Sequence, residues 1–144
     1  MDSSVYEQII NFESILDHFG YWPSFHDAEV ASFTFSRSSL NGDIGPQVSF
    51  DVHAFEISSN ISPENKYVLK KHCVITFEFY NVEIINFNGF NHQNALYGIS
   101  FSAMRNIDNQ EVIAVKLDAS HGLETSFRAK QVAVSEVKPG KPNV

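Results

Sequence analysis

The 144 residues carry one cysteine, 17 acids against 10 lysines and arginines, and a formal net charge of −7. One thiol excludes an intrachain disulfide and suits a reducing compartment, and a chain of this length buries roughly 70% of the surface its unfolded form exposes without such a staple. No apolar run approaches bilayer length and the start of the chain has no signal-peptide pattern, so the expectation is a soluble cytoplasmic protein, one domain over 1–144 with a frayed tail at 137–144.

From Ser4 to Phe19 the apolar residues Val5, Ile9, Phe12, Leu16 and Phe19 recur in steps of four and three, which predicts an amphipathic helix. Ser4 and Glu7 have capping-box spacing, Gly20 suits the left-handed end of a helix, and Pro23 prevents its resumption. The period then becomes two. Ala31, Phe33 and Phe35 mark one face of a first strand, Asn41-Gly42-Asp43 a turn, and Val48, Phe50, Val52 and Ala54 a second strand. Residues 58–66 are polar, contain a proline and are expected in a loop.

Cys73, Ile75, Phe77 and Phe79 give the inward face of a third strand. Val82 to Phe87 is the fourth, and its phase slips between Ile84 and Ile85 as a β-bulge would make it. Asn86 to Asn94 is a connection, Leu96 to Met104 a strand, Asn106 to Gln110 a turn, and Ile113, Val115 and Leu117 line the next strand. After the His121-Gly122 turn the final strand begins with Leu123, Phe127 and Ala129 on one face and ends with Val132 and Val134 on the other. A bulge or a change of sheet near Lys130-Gln131 repairs that register. The fold class is therefore α+β: one N-terminal helix on a largely antiparallel, twisted sheet of about seven strands, curled or split.

Residues 1–60 hold nine acids and one base, Arg37. Such an acidic half repels phosphate backbones, which argues against nucleic acid, and it attracts a basic protein partner. Glu29, Asp43, Asp51 and Glu56 are the candidate partner-binding residues among these acids.

The chemically suggestive stretch is Tyr21 to Val30, with the only tryptophan close to a His26-Asp27 pair. Metal-dependent phosphohydrolases use such a doublet together with further ligands on packed helices, and this chain has one helix. His53, His72, His92 and His121 lack the close spacing that holds a metal on one element, so only a composite site would bind one. Cys73 lies on an apolar strand face, as an inert thiol does, and Ser120-His121 lacks the elbow of a serine hydrolase. Trp22, Phe25, His26 and Asp27 are expected to lock the junction between helix and sheet, with no catalytic residues, no metal and no cofactor.

Trp22-Pro23-Ser24-Phe25-His26-Asp27-Ala28-Glu29-Val30 resembles the bacterial family called immunity protein fifty, of polymorphic toxin systems. Gly89 to Asn94, Gly122 to Phe127 and Val137-Lys138-Pro139 extend the resemblance over nearly the whole chain. It implies a non-enzymatic protein that binds and neutralises a cognate toxin domain. The alternative is a metal-dependent hydrolase or small-ligand protein with its site near His26, Asp27 and Glu29. A third reading is a structural domain of an assembly that pairs through an exposed strand edge, and weak association into a homo-oligomer is a further expectation.

Overall fold

The computed structural model describes residues 5–38 and 45–142, apart from the side chain of Asn60. Ser4 and the Asn41-Gly42-Asp43 turn, and with it Asp43, lie outside the described residues.

The stripe expected to form one helix from Ser4 to Phe19 is broken into two pieces. A 3-10 turn spans Tyr6–Gln8 and helix α1 only Glu13–Phe19. Between them Ile9 is extended, Ile10 makes a parallel bridge to Ala133, and Asn11 takes a φ of 66°. Val5, Ile9 and Phe19 are buried as expected, joined by Ile15. Apolar spacing alone cannot separate a helix from two turns interrupted by one residue of strand. Gly20 does end α1 in the left-handed region, with φ 86°.

Eight strands follow: β1 (Glu29–Ser36), β2 (Gln47–Ile61), β3 (Tyr67–Tyr80), β4 (Glu83–Asn88), β5 (Ala95–Arg105), β6 (Glu111–His121), β7 (Glu124–Ala129) and β8 (Gln131–Pro139). They form one open antiparallel sheet in the order β4-β7-β6-β5-β1-β2-β3-β8. The eighth strand arises where the sequence changes phase. β7 pairs with β6 and β4, whereas β8, after Lys130 alone, pairs with β3 at the opposite end of the order. The phase change is thus a change of layer.

That crossing curls the sheet into two four-stranded layers, β4-β7-β6-β5 and β1-β2-β3-β8. The layers are hydrogen-bonded to each other where Glu29 pairs with Ala95. Phenylalanine rings fill the space between them: Phe79 of β3 meets Phe127 of β7 at 4.8 Å, and Phe77 of β3 meets Phe101 of β5 at 5.8 Å. Pleated strands present alternate side chains to one side, so the Phe-rich faces of both layers share one core.

Three further expectations are corrected. Ala31 and Phe35 are exposed, because a register shift between Val30 and Ser32 disrupts the alternation and β1 parts from β5 beyond Glu29. Residues 58–61 belong to β2, because a ribbon with solvent on both faces tolerates polar residues, and only 62–66 turn. Val137–Pro139, expected in a frayed tail, pair with β3, and the Gly140 N–H donates to His72 O at 2.8 Å. The expected slip at Ile84 is present as a register shift between Glu83 and Asn86, with φ 53° at Ile84.

Candidate functional site

The corner where the two layers join gathers the segments singled out in the sequence. Trp22 is half-buried, stacked on Tyr6 at 4.7 Å and edge-on to Phe25 and Phe101, each at 6.1 Å. Phe25 is buried against Phe77. The backbone from Phe25 to Val30 is sewn to the start of β5: Asp27 N–H donates to Leu96 O, Leu96 N–H to Ala28 O, and Val30 N–H to Asn94 O. Phe25 and Asp27 both take a φ of 64°, a conformation whose cost the surrounding bonds and burial offset.

The side chains of His26 and Asp27 themselves are more than half exposed. His26 Nδ1 lies 3.3 Å from Tyr97 O, and Nε2 lies 3.6 Å from the Asp27 carboxylate.

Asn94 is the residue that sequence reasoning missed. It is 2% exposed, and its side chain uses both ends. Nδ2 donates to Val30 O at 3.1 Å, and Oδ1 accepts from Asn91 N–H at 2.8 Å and from Leu123 N–H at 3.2 Å. Asn91 Oδ1 in turn accepts from the backbone of Gln93 and Asn94. One buried amide therefore ties together Tyr21–Val30, Gly89–Asn94 and Gly122–Phe127. Gly122, at φ 99°, is needed here because a Cβ would overlap the Asn91 side chain. The readable signal was two asparagines three apart between glycines, a pattern of local side-chain to backbone bonding.

Outside this corner lies a groove of about 680 Å³ lined by Glu29, His53, Phe90, His92 and Lys141 among others. Beside it Phe33, Phe35, Phe87 and Phe90 form a chain of ring contacts at 5.0–6.2 Å, and Phe35, Phe87 and Phe90 are each at least 40% exposed. Such an aromatic patch is costly in water and characteristic of a contact surface.

The predicted acids do not form one cluster. Glu29 is exposed at the groove and faces His53 across the strands. Asp51 accepts from the Ser32 and Thr76 hydroxyls on the outer face of β1–β3. Glu56 accepts from Tyr21 Oη at 2.6 Å and lies 3.6 Å from Lys71 Nζ. The bond from Tyr21 holds the Glu56 carboxyl below its ordinary pKa, with Lys71 acting in the same sense, and desolvation followed by that bond pushes Tyr21 up to about 12.

Burial alone pushes the Cys73 thiol up to about 12, which leaves it protonated and unreactive at neutral pH. His53 Nε2 and His72 Nδ1 are 2.9 Å apart, a bond that needs at least one ring neutral. Both pKa values are lowered, first by desolvation; for His53 the neighbouring His72 adds to this, and Lys141 acts on both. Among the described residues no three His, Cys, Asp or Glu side chains come together to hold a metal ion, and no helix is long and apolar enough to cross a membrane.

The family model described as immunity protein 50 matches residues 11–140. No curated protein and no solved structure matches the chain.

Proposed function

The chain belongs to the immunity protein 50 family, and on that premise we propose that it neutralises a cognate bacterial toxin by binding the toxin domain directly, without catalysis. The family match carries this reading, and the exposed aromatic patch beside the groove supports it. Phe35, Phe87 and Phe90 are large, rigid and half-desolvated already, so covering them gains apolar burial at little entropic cost. A basic toxin domain is the expected partner. Glu29, exposed at the rim of the same groove, would add to an attraction felt before contact. Asp51 and Glu56, already engaged by hydroxyls within the chain, contribute field more than contact. His26 and Asp27 act through the backbone they position.

The test is titration calorimetry against the toxin domain encoded by the reading frame directly upstream. A one-to-one complex is expected, weakened at least about tenfold when Phe90→Ala removes a ring from the patch. Glu29→Lys should slow association severalfold at low salt and leave dissociation nearly unchanged. Absence of any complex would sink the proposal. The hydrolase reading near His26 would gain only if purified protein released stoichiometric metal that His26→Ala could not hold.

A further inference from the structure

β2 and β3 outrun their neighbours. β1 pairs with β2 only as far as His53, and β8 with β3 only from Cys73 onward. Beyond those points the two strands pair with each other alone, through Glu56–Lys70, Ile57–Leu69 and Ile61–Tyr67, and close at the 62–66 turn. A two-stranded ribbon is marginal in water by itself, so its order depends on what holds its base. One hold is α1, since Lys71 Nζ donates to Phe19 O at 2.9 Å and His18 Nε2 to Lys71 O at 2.7 Å. The other is the pair of rings, His53 and His72, that spans the two strands where their neighbours end.

His53 Nε2 and His72 Nδ1 are 2.9 Å apart, the rings are within 22° of parallel, and their centres are 5.2 Å apart. With that spacing the nitrogens face each other along the line of centres, as in a straight N–H···N bond, and are not angled toward a third point as two ligands of one metal ion are. The His72 ring also bonds to the backbone of Leu69, within the ribbon, and since that bond favours the protonated ring, the ring donates to the Leu69 carbonyl. Nδ1 faces His53, so the donor to Leu69 is Nε2. A neutral His72 therefore accepts at Nδ1 from His53 Nε2–H. Phe55 packs against both rings, at 5.4 and 5.7 Å, and the pair is part-buried.

We propose that this chain of bonds, from His53 to His72 to Leu69, is a proton-operated clasp: it holds the ribbon while the two rings share at most one extra proton, and the second proton releases residues 54–72 as a local unit. One proton is accommodated at His53 Nδ1 with both bonds in place. The second must take His72 Nδ1, the accepting atom, and two N–H groups with like charges then meet. The cations on this face are Lys141, whose charge acts on both rings, and Lys138, opposite Val74. Its acids are Glu29, opposite His53, Glu136, opposite Thr76, and Asp51, which already accepts from Ser32 and Thr76. His92 lines the same groove as His53, and toward α1 Glu56, with Lys70 opposite it, is engaged by Tyr21 and Lys71. Desolvation first holds both pKa values below the ordinary 6.5, His72 adds to this for His53, and Lys141 acts on both. The clasp is therefore whole above about pH 6.5 and is lost as pH falls through the folded values.

Amide hydrogen exchange followed by NMR from about pH 7.5 to about pH 4.5, corrected for intrinsic rates, tests it. Protection over residues 55–61 and 67–71 should fall at least about tenfold, for one bond lost and like charges gained, while residues 75–79 of β3 stay protected. His53→Gln and His72→Gln, made separately, each keep an amide able to bond the remaining ring and remove the second charge, so ribbon protection should no longer depend on pH. The ring nitrogen shifts of the parent give a reading without substitution. The pair should titrate in two steps, and ribbon protection should follow the second alone. Protection that follows the first step, that is indifferent to pH, or that falls together with residues 75–79 would overturn the proposal, as would a fall of the parent's size in both glutamine variants.

Discussion

The open sheet has two edges, and the chain treats them in opposite ways. At β8 the N-terminal segment lies alongside as a single residue of parallel strand. Ile10 N–H donates to Val132 O at 2.9 Å, Val134 N–H to Ile10 O at 2.8 Å, and Asn11 Nδ2 to Val134 O at 3.1 Å. At β4 no further strand pairs with the edge among the described residues; the rings of Phe33, Phe35 and Phe90 pack on Phe87, yet Ile84, Ile85 and Phe87 are all exposed and Glu83 is the only charge of the strand. An edge with unpaired peptide groups is a template for unwanted pairing unless it is covered, bent or charged. β8 is covered. β4 relies instead on the bulge at Ile84, which bends the strand and interrupts its ladder. The apolar stripe of residues 5–19 thus does two jobs, burying side chains between the turns of its broken helix and closing the edge that would otherwise be the longer of the two.

The strongest way to break the covered edge is from beneath. Ile9 is 1% exposed, and Ile9→Asp places an unpaired carboxylate in the core at a cost of several kcal/mol, about 3–5. Loss of cooperative melting is expected, and a variant that melts within a few degrees of the parent would show that the segment is not docked. Ile10→Pro is gentler. Ile9 has ψ 125°, which tolerates a following proline, so the substitution chiefly removes the N–H bonded to Val132 O. About 1–3 kcal/mol should be lost, and light scattering on heating should begin earlier, because β8 is then as open as β4.

The far end of the covered edge is sensitive to pH. His53 and His72 have folded pKa values below their unfolded value near 6.5, so the unfolded chain binds more protons than the folded one as pH falls through that value. Their contribution is full above about pH 6.5 and is lost below it, as the folded rings in turn become protonated. Melting temperature should therefore fall between about pH 7 and 5, and His72→Gln should flatten that slope; an unchanged slope would mean that other groups set it. The smallest effect belongs to the open edge. Ile85→Lys should alter stability by no more than about 0.5 kcal/mol yet delay aggregation on heating, and a large stability loss would reveal a covering that the exposed side chain does not suggest.

The asymmetry of the edges also marks what could be read from residues alone. Strict alternation at Val48 to Ala54 and Cys73 to Phe79 located β2 and β3, and the phase flip between Ala129 and Val132 announced the crossing at Lys130. Both are local patterns with a single physical meaning. Strand order was not legible, since alternation says which face is buried and nothing about which strand lies alongside. Phe33 and Phe35 show the consequence: their spacing points them at a core, but β5 turns away after one pair and leaves Phe35 in solvent. The site was half legible. Trp22 and Phe25 could be singled out as large rings beside a helix end, and the structure has Phe25 buried and Trp22 half-buried, whereas Asn94 looked like loop composition until the fold wrapped Val30 and Leu123 around its amide.

The crossing at Lys130 has a further consequence for how the molecule is made. β8 is synthesised after the other seven strands, yet it completes the layer that β1, β2 and β3 begin and is the partner that residue 10 grips. A nascent chain that has reached only Ala129 holds an unpaired β3 edge and an N-terminal segment with nowhere to dock. Closing loops of such length comes late and slowly. Assembly of the second layer must then wait until residues 131–139 have left the ribosome.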